Sequence, residues 1–361
     1  MLDHESLLEM LELARWAPSG DNTQPWRFEI VSDRHIAIHG SDTRDWCVYD
    51  FKGRASHMAH GALLETLRIA ATAKSCTARW KIRPDRPDTA PIYDVFLQHE
   101  EGLQADSLLG AIRERVVQRR PMRLRPLTCD QRKGLSSAVG DNFELQFFES
   151  FSERFAVARL LWSNAKLRLT CPEAYAVHAR VIEWGAQYSE DRIPDQAVGV
   201  DPLTAKLMQW VMGSWSRVEF FNRYLFGTIA PRIQLDFIPA IACGAHILMR
   251  PKAPLDSLEA YLEAGCAMQR LWLKATTLGL SLQPEMTPVI FRWYACSQCS
   301  LSSESKINSE ALRLAESFDN VIGAEDARSN AFFCRVGTSA KPQSRSLRLG
   351  LDRLMHVPER A

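Results

Sequence analysis

The chain has 361 residues, 46% of them hydrophobic, enough to bury one large core or two intimate ones. Its formal charge is +1, and the basic residues are scattered, so there is no basic surface from which counterion release could drive nucleic-acid binding. The N-terminal decapeptide has neither a basic segment nor a long apolar run, which argues against a signal peptide. The most apolar run elsewhere, Phe237–Met249, is too short to span a bilayer. A cytoplasmic protein with no membrane partner is expected.

In chain order, Leu7, Leu8, Leu11 and Ala14 recur at helical spacing over residues 5–16, with Asp3 or Ser6 as the cap. Ala17-Pro18-Ser19-Gly20 stops that helix. Trp26–Val31 and His35–His39 alternate as two strands around a short turn, Gly61–Ala73 reads as a helix, and Ile92–Gln98 as a strand. Residues 107–118 pattern as a helix, and a further helix precedes a strand at Phe143–Phe148. Residues 152–230 are mostly helical and rich in aromatic side chains, interrupted by a polar loop at Ser189–Pro202. The apolar run near Ile238–Leu248 reads as a buried strand, Leu255–Leu278 as a long helix stopped by Gly279, and Ala331–Val336 as a last strand before a polar tail from Gly337 to Ala361. The helix GALLETLRIAATAKS from Gly61 resembles GCAMQRLWLKATTLG from Gly265, and each is followed by a strand-like segment. Two related halves are expected, residues 1–105 and 106–361, the second with a helical aromatic insert at about 152–235.

The nine cysteines are spread singly except for Cys296-Ser-Gln-Cys299. An odd number in a large chain argues against a disulfide framework, and one C-x-x-C with no partner pair is a poor zinc site. His57 and His60 share a helix face, without a further ligand. No metal is expected. The chain has no G-x-S-x-G, H-E-x-x-H, Walker loop or G-x-G-x-x-G, so no protein nucleophile or nucleotide cradle stands out.

The most informative segment is Ala14-Arg-Trp-Ala-Pro-Ser-Gly-Asp-Asn-Thr-Gln-Pro-Trp-Arg-Phe28. It resembles the nitroreductase-family pattern A-x-x-A-P-S-x-x-N-x-Q-P-W-x-F. Arg119-x-Pro121-x-Arg123 resembles the family's R-x-S-x-[RK], with Pro121 where serine is usual. Gly279-Leu280 followed by Leu282–Thr287 is similar to the family's loop after the long helix, and Arg335-Val-Gly337 with Ser344–Arg348 to its closing strand and basic tail. Motif order differs from an ordinary subunit of the family: P-S-x-x-N comes first, R-x-P-x-R about a hundred residues later, and the stretch Ser163–Glu173, taken as the counterpart of the first loop, has diverged. This order, with Asp50-Phe-Lys-Gly-Arg54 before Gly61, resembles the tandem, Acg-like branch of the family.

The resemblance implies an α+β fold of antiparallel sheets flanked by helices, its two halves packed as an intramolecular pseudo-dimer that is compatible with a monomer or a homodimer. It also implies one FMN per chain. The residues carried over for FMN are Pro18, Ser19, Gly20 and Asn22; Arg119, Pro121 and Arg123; Pro284, Met286 and Thr287; and Arg345 and Arg348. The implied activity is an oxidoreductase that takes hydride from NAD(P)H and passes electrons to a nitroaromatic, quinone or similar small acceptor, with no catalytic side chain because the flavin supplies the chemistry. Two other readings stay open: an FMN storage protein with a lid over the flavin, and a flavin-free interaction protein. The aromatic insert is read either as that lid or as core.

Overall fold

The structure, a computed structural model, describes residues 2–323 and 330–357, so the last four residues of the tail lie outside the described residues. Helix α1 (His4–Ala14) buries Leu7, Met10, Leu11 and Ala14. Asp3 caps it, accepting from the Ser6 amide at 2.9 Å, which places Ser6 inside the helix. Strands β1 (Trp26–Ser32) and β2 (His35–Gly40) form the expected hairpin, followed by α2 (Arg54–Thr72), β3 (Cys76–Ile82) and β4 (Ile92–His99). The helix expected over 107–118 is a single turn, α3 (Ala111–Glu114). The β-branched pair Val116-Val117 and the downstream Pro121 and Pro126 favour extended chain instead.

The second half begins with α4 (Cys129–Ala138) and β5 (Phe143–Phe148). Then come α5 (Phe151–Thr170), α6 (Pro172–Val181) and three two-residue strands, β6 (Ile182–Glu183), β7 (Tyr188–Ser189) and β8 (Ile193–Pro194). Four helices follow: α7 (Pro202–Val211), α8 (Trp215–Tyr224), α9 (Ile229–Arg232) and α10 (Ile238–Ile241). The strand expected from Ile238 starts only at β9 (Ala245–Pro251). Pro239 explains the difference: it sits in the first turn of α10, where its missing N–H is not needed, whereas a central strand would lose a ladder bond. Helix α11 (Leu258–Thr277) is followed by Gly279 at φ +69°. Strand β10 (Ser281–Pro284) leads to α12 (Thr287–Cys296) and α13 (Ser305–Ile322), in an interval where the sequence suggested no element. Strands β11 (Phe332–Gly337) and β12 (Arg345–Ser346) and helix α14 (Leu351–Leu354) complete the chain.

Two four-stranded antiparallel sheets form, ordered β1-β2-β4-β3 and β5-β9-β11-β10. Each follows one plan: a helix, two strands, a long helix, two strands. On this plan β1 corresponds to β5, β2 to β9, α2 to α11, β3 to β10 and β4 to β11. The extra chain of the second half lies between β5 and β9 and between β10 and β11. The counterpart of the loop after α1 is therefore the short turn Val139–Asn142 between α4 and β5. Ser163–Glu173 is not that counterpart; it lies in α5 and α6.

The halves meet where α2 crosses α11. A Cβ on Gly61 would lie 2.0 Å from the Leu262 carbonyl oxygen, and one on Gly265 would lie 2.1 Å from that of Met58. The two contacts are mirror partners, each linking a glycine to the residue three before the other glycine. The flanking polar pairs exchange in the same way: Arg270 Nη1 donates to Glu65 Oε1 at 2.9 Å, and Gln269 Nε2 donates to Thr66 Oγ1 at 2.9 Å. The likeness of the two helix sequences is thus a pseudo-two-fold axis through a glycine crossing. The C-terminal segment returns to the first half, where Leu349 and Leu354 join the core of the first sheet and Met355 bridges Phe28 on its edge.

Candidate functional site

The loop Ser19–Gln24 joins α1 to β1 in a strained path. Asp21, Asn22 and Gln24 have φ of 50°, 64° and 48°, a region that costs a residue with a Cβ roughly 1–2 kcal/mol. Strain of this kind persists only where the surroundings over-determine it, and Gln24 shows how. Its amide N–H donates to Ser19 Oγ at 3.0 Å, its Nε2 donates to Glu190 O at 2.9 Å, and its Oε1 accepts from Leu349 N at 2.9 Å. Asn22 Nδ2 also donates to Glu190 O at 3.0 Å, leaving Asn22 Oδ1 buried without a partner. The first loop is held by the insert on one side and by the tail on the other.

Three guanidinium groups gather beside this loop. Arg348 Nε donates to Ala17 O at 3.0 Å, and Arg115 Nη2 to Trp16 O at 2.9 Å. Arg345 lies over the Trp16 ring, 5.0 Å from its centroid, and donates to the carbonyls of Arg113 and Arg115. Among the described residues no acidic side chain pairs with any of the three. Burial, and then the neighbouring guanidiniums, lowers Arg115 well below its ordinary value and Arg348 to about 9. Buried cations without an ion-pair partner, as Arg115 and Arg348 are, are costly, and an anion placed beside them and Arg345 would relieve that cost through charge-assisted hydrogen bonds.

A second set of charges faces the same loop. Burial raises Asp21, offset by attraction from Arg119 and Arg168. Arg168 on α5 donates to Asp236 at 3.1 Å. Burial lowers His178 on α6 to about 3 and raises Tyr49, so the neutral imidazole Nε2 accepts from the Tyr49 hydroxyl at 3.0 Å. Asp21, Tyr49, Arg119, Arg168, His178 and Asp236 all keep some accessible surface. They are desolvated and act on one another, Arg119 and Arg168 on Asp21 and His178, and Arg168 on Tyr49 and Asp236, so together they mark one polar region between the first loop and the insert, the candidate recess.

The recess is tied to the loop after β10. Glu285 is buried; its Oε1 accepts from Arg335 Nη1 at 2.8 Å and its Oε2 from His246 Nδ1 at 2.7 Å. Arg335 Nη2 donates to Arg119 O at 2.7 Å. His246 Nε2 donates to Ala240 O at 2.9 Å. Although burial alone would lower it, the carboxylate of Glu285 holds His246 up at about 10, so the ring is charged, and Glu285 is held below its ordinary value. Pro284, Met286 and Thr287 flank this buried group and are half-exposed, with Thr287 starting α12.

The structure therefore brings together Pro18, Ser19, Gly20 and Asn22, Arg119, the Pro284–Thr287 loop, and Arg345 with Arg348. It does not bring in Pro121 and Arg123, which are exposed on the chain leading to α4. The pair spaced i, i+4 that turns inward is Arg115 and Arg119, with Val117 between them bridged to Leu282. The sequence did not single out Arg115; its R-x-x-x-R spacing with Arg119, four residues upstream of Arg119 and Arg123, was the available signal. Tyr49, Arg168 and His178 carried no sequence signal, since two of them belong to an insert outside the motifs. The other highlighted residues are structural. His60 Nε2 donates to Pro25 O at 2.7 Å and Nδ1 accepts from Tyr93 at 2.9 Å, while His57 donates to Asp88 O. Asp50 accepts from Thr43 and Ser56, and Arg54 is enclosed by the rings of Phe51, Tyr261 and Trp293. Cys296 and Cys299 are exposed free thiols at the end of α12. No cluster of metal-ligating side chains occurs among the described residues, and no helix among them is long and apolar enough to cross a membrane.

The pseudo-symmetric position is different. A cavity of about 760 Å³ lies there, lined by Ser137–Phe143, by Trp80–Ile82 and by one face of α11. It has neither the long loop nor the cluster of unpaired cations.

Residues 1–107 match the family model described as the nitroreductase family. An uncharacterized protein of Mycobacterium tuberculosis is 23% identical over 283 residues, 76% of this chain and 37% of the relative. A second relative from that organism, named "Putative NAD(P)H nitroreductase acg", is 29% identical over 115 residues, 30% of this chain and 34% of the relative. The chain thus spans little more than a third of the length of these curated relatives. Among solved structures, the FMN-dependent nitroreductase NfnB from Mycobacterium smegmatis in complex with NADPH aligns over 69% of this chain and 96% of its own, at 13% identity and a TM-score of 0.37. A nitroreductase-like family protein from Bacillus cereus aligns over 70% of this chain and 97% of its own, at 12% identity and a TM-score of 0.34. The strained loop, the helix before it and the first sheet all fall within the matched segment, residues 1–107.

Proposed function

We propose that the chain binds one FMN in the recess between the first loop and the insert and acts as an NAD(P)H-dependent oxidoreductase on a small acceptor such as a nitroaromatic or a quinone. The observation that carries this reading is the cluster beside the loop of buried Arg115 and Arg348 with half-buried Arg345, none of them in an ion pair among the described residues. Its donor chemistry fits a phosphate monoester. Asn22 Oδ1, buried and unpartnered, fits an N–H on the edge of a heterocycle. When bound, FMN supplies hydride and electron transfer. The protein's own residues bind and orient: the three arginines hold the phosphate, the Pro18–Asn22 loop and the Pro284–Thr287 loop bracket the ring, and Arg335 and His246 fix the second loop through Glu285. Tyr49, kept protonated, holds a proton at its hydroxyl with neutral His178 behind it.

The test is a visible absorption spectrum of the purified protein, followed by anaerobic addition of NADPH and then NADH. Flavin bands at one FMN per chain, bleached by nicotinamide, are expected. Two FMN per chain would contradict the asymmetry of the two positions, and no bands after incubation with FMN would overturn the reading. Arg345→Ala should weaken FMN binding by about 10- to 100-fold, the loss of a charge-assisted contact, read as the dissociation constant from flavin fluorescence. One observation favours storage as a second reading. The segment 187–192 straps the site: Asn22 and Gln24 both donate to Glu190 O, Leu347 N donates to Ser189 O, and β7 pairs in parallel with β12. A strap that stays closed excludes nicotinamide, and flavin bleached by dithionite alone would select this second reading.

A further inference from the structure

The aromatic insert is neither wholly core nor wholly lid: α7 and α8 turn a large apolar face outward. Helix α7 contains no buried residue, and α8 contains only Val218. On α7, Leu203, Leu207 and Trp210 fall at i, i+4 and i+7, a single stripe; Leu203 is 77% exposed and Trp210 54%. The stripe continues onto α8 through ring contacts, with Trp210 edge-on to Phe221 at 5.7 Å and Phe220 against both Phe221 and Tyr224. Beyond α8, Phe226 is held at φ +53° and is 75% exposed, followed by exposed Ile229 and Ile233. A bulky side chain in the left-handed region with no packing around it is unusual on two counts.

The charges around this face select its occupant. From Asp201, which caps α7, to Tyr224 the charged side chains are Lys206, Arg217 and Arg223 against Asp201 and Glu219. Arg217 lies over the Trp210 ring at 4.8 Å and Arg223 over Tyr224 at 5.4 Å, so the cations border the aromatic stripe. A second copy docked across a two-fold would set these cations against themselves. An anionic bilayer complements them, and apolar side chains ringed by tryptophan, tyrosine and basic residues match the polar-apolar boundary of a membrane.

We propose that α7, α8 and the Phe226 loop form a peripheral docking surface for an anionic lipid bilayer, on which the chain rests without crossing. This revises the expectation of no membrane partner, which rested on the absence of a spanning segment.

Full-length protein as purified would be sedimented with phosphatidylcholine vesicles with and without phosphatidylglycerol, across a salt series. With three cations offset by two acids, partition onto the anionic vesicles is expected to be about 5-fold stronger at low salt and to fall as salt rises. The double variant Trp210→Ser, Phe226→Ser should abolish binding at little cost in thermal stability, because Phe226 is three-quarters exposed and Trp210, although in ring contact with Phe221, is more than half exposed. Lys206→Glu with Arg223→Glu should remove the lipid preference. Equal binding to neutral vesicles, or none to either, overturns the proposal. So does a dimer in light scattering that the Trp210→Ser, Phe226→Ser variant dissociates, which would assign the face to a second copy. None of these readouts depends on flavin or turnover.

Discussion

Gly61→Ala is expected to destabilise the protein by about 3 kcal/mol or more, a large effect for one methyl group. In an ordinary helix interior the same change stabilises by roughly 1 kcal/mol, because glycine is the poorer helix former. The reversal arises at the crossing of α2 and α11, where the new Cβ would lie 2.0 Å from the backbone oxygen of Leu262. No rotamer change relieves a clash with a main-chain atom, so the helices must separate, and with them the contacts between Glu65 and Arg270 and between Thr66 and Gln269. Gly265→Ala should behave alike, against Met58 O at 2.1 Å. Gly134→Ala is the control: it lies within α4, and the nearest atoms to its Cβ are the flexible ends of Leu278 and Lys274 at 3.3 Å. It should leave the unfolding midpoint unchanged or raise it. Equal effects at all three glycines in a denaturant titration would show that the crossing is not the point of closest approach.

Glu285→Gln is expected to cost about 3–5 kcal/mol, the usual consequence of removing one member of a buried ion group. The amide would leave Arg335 and the charged ring of His246 enclosed with no anion between them. The pH dependence carries the same signature. The pKa of His246 is about 10 in the folded chain, above its ordinary value of 6.5, so its contribution is complete below about pH 6.5 and fades as pH rises towards 10. Glu285 is depressed below 4.5, so its contribution is present above that value and is lost in acid. His60 and His178 act in the opposite sense to His246. Burial lowers them to about 4 and about 3, so stability falls as pH drops below about 6.5 and the unfolded chain takes up protons that the folded chain refuses. Stability should peak near neutrality. In Glu285→Gln the alkaline decline should flatten, since His246 loses the partner that holds it charged. An alkaline limb unchanged by the substitution would assign that limb to other groups.

What was legible in the sequence was what is local. The segment Ala14–Phe28 combines a helix end, a loop and a strand in fifteen consecutive residues, so the pattern exposed the site's central loop directly. The two glycine-led helices were visible as a likeness and proved to be the two sides of the crossing. What was missed depends on distance or on very short elements. The strap uses two-residue strands and carbonyl groups, which leave no pattern. Arg115 is buried and Arg123 exposed, a difference that two arginines at the same spacing from Arg119 do not reveal in sequence. Helix α13 was legible and overlooked: Ile307, Ala311, Leu314, Phe318 and Ile322 follow helical spacing and are all buried. The insert defeated periodicity for a different reason. A stripe of large apolar residues reads as core, and only three-dimensional neighbours reveal that it faces outward.

The return of the C-terminal segment to the first half has a consequence for biosynthesis. Residues 345–355 leave the ribosome only after both sheets have been synthesised, yet they supply Arg345 and Arg348, anchor Gln24 through Leu349, and bridge Phe28 through Met355. Until they arrive, the first half can fold locally, but its outer strand lacks that contact and the Ser19–Gln24 loop lacks one of its two anchors. An unprotected strand edge invites pairing with other chains. Nascent chains stalled before residue 345 should therefore be aggregation-prone, and the Ser19–Gln24 loop reaches its final geometry only after synthesis of the second half.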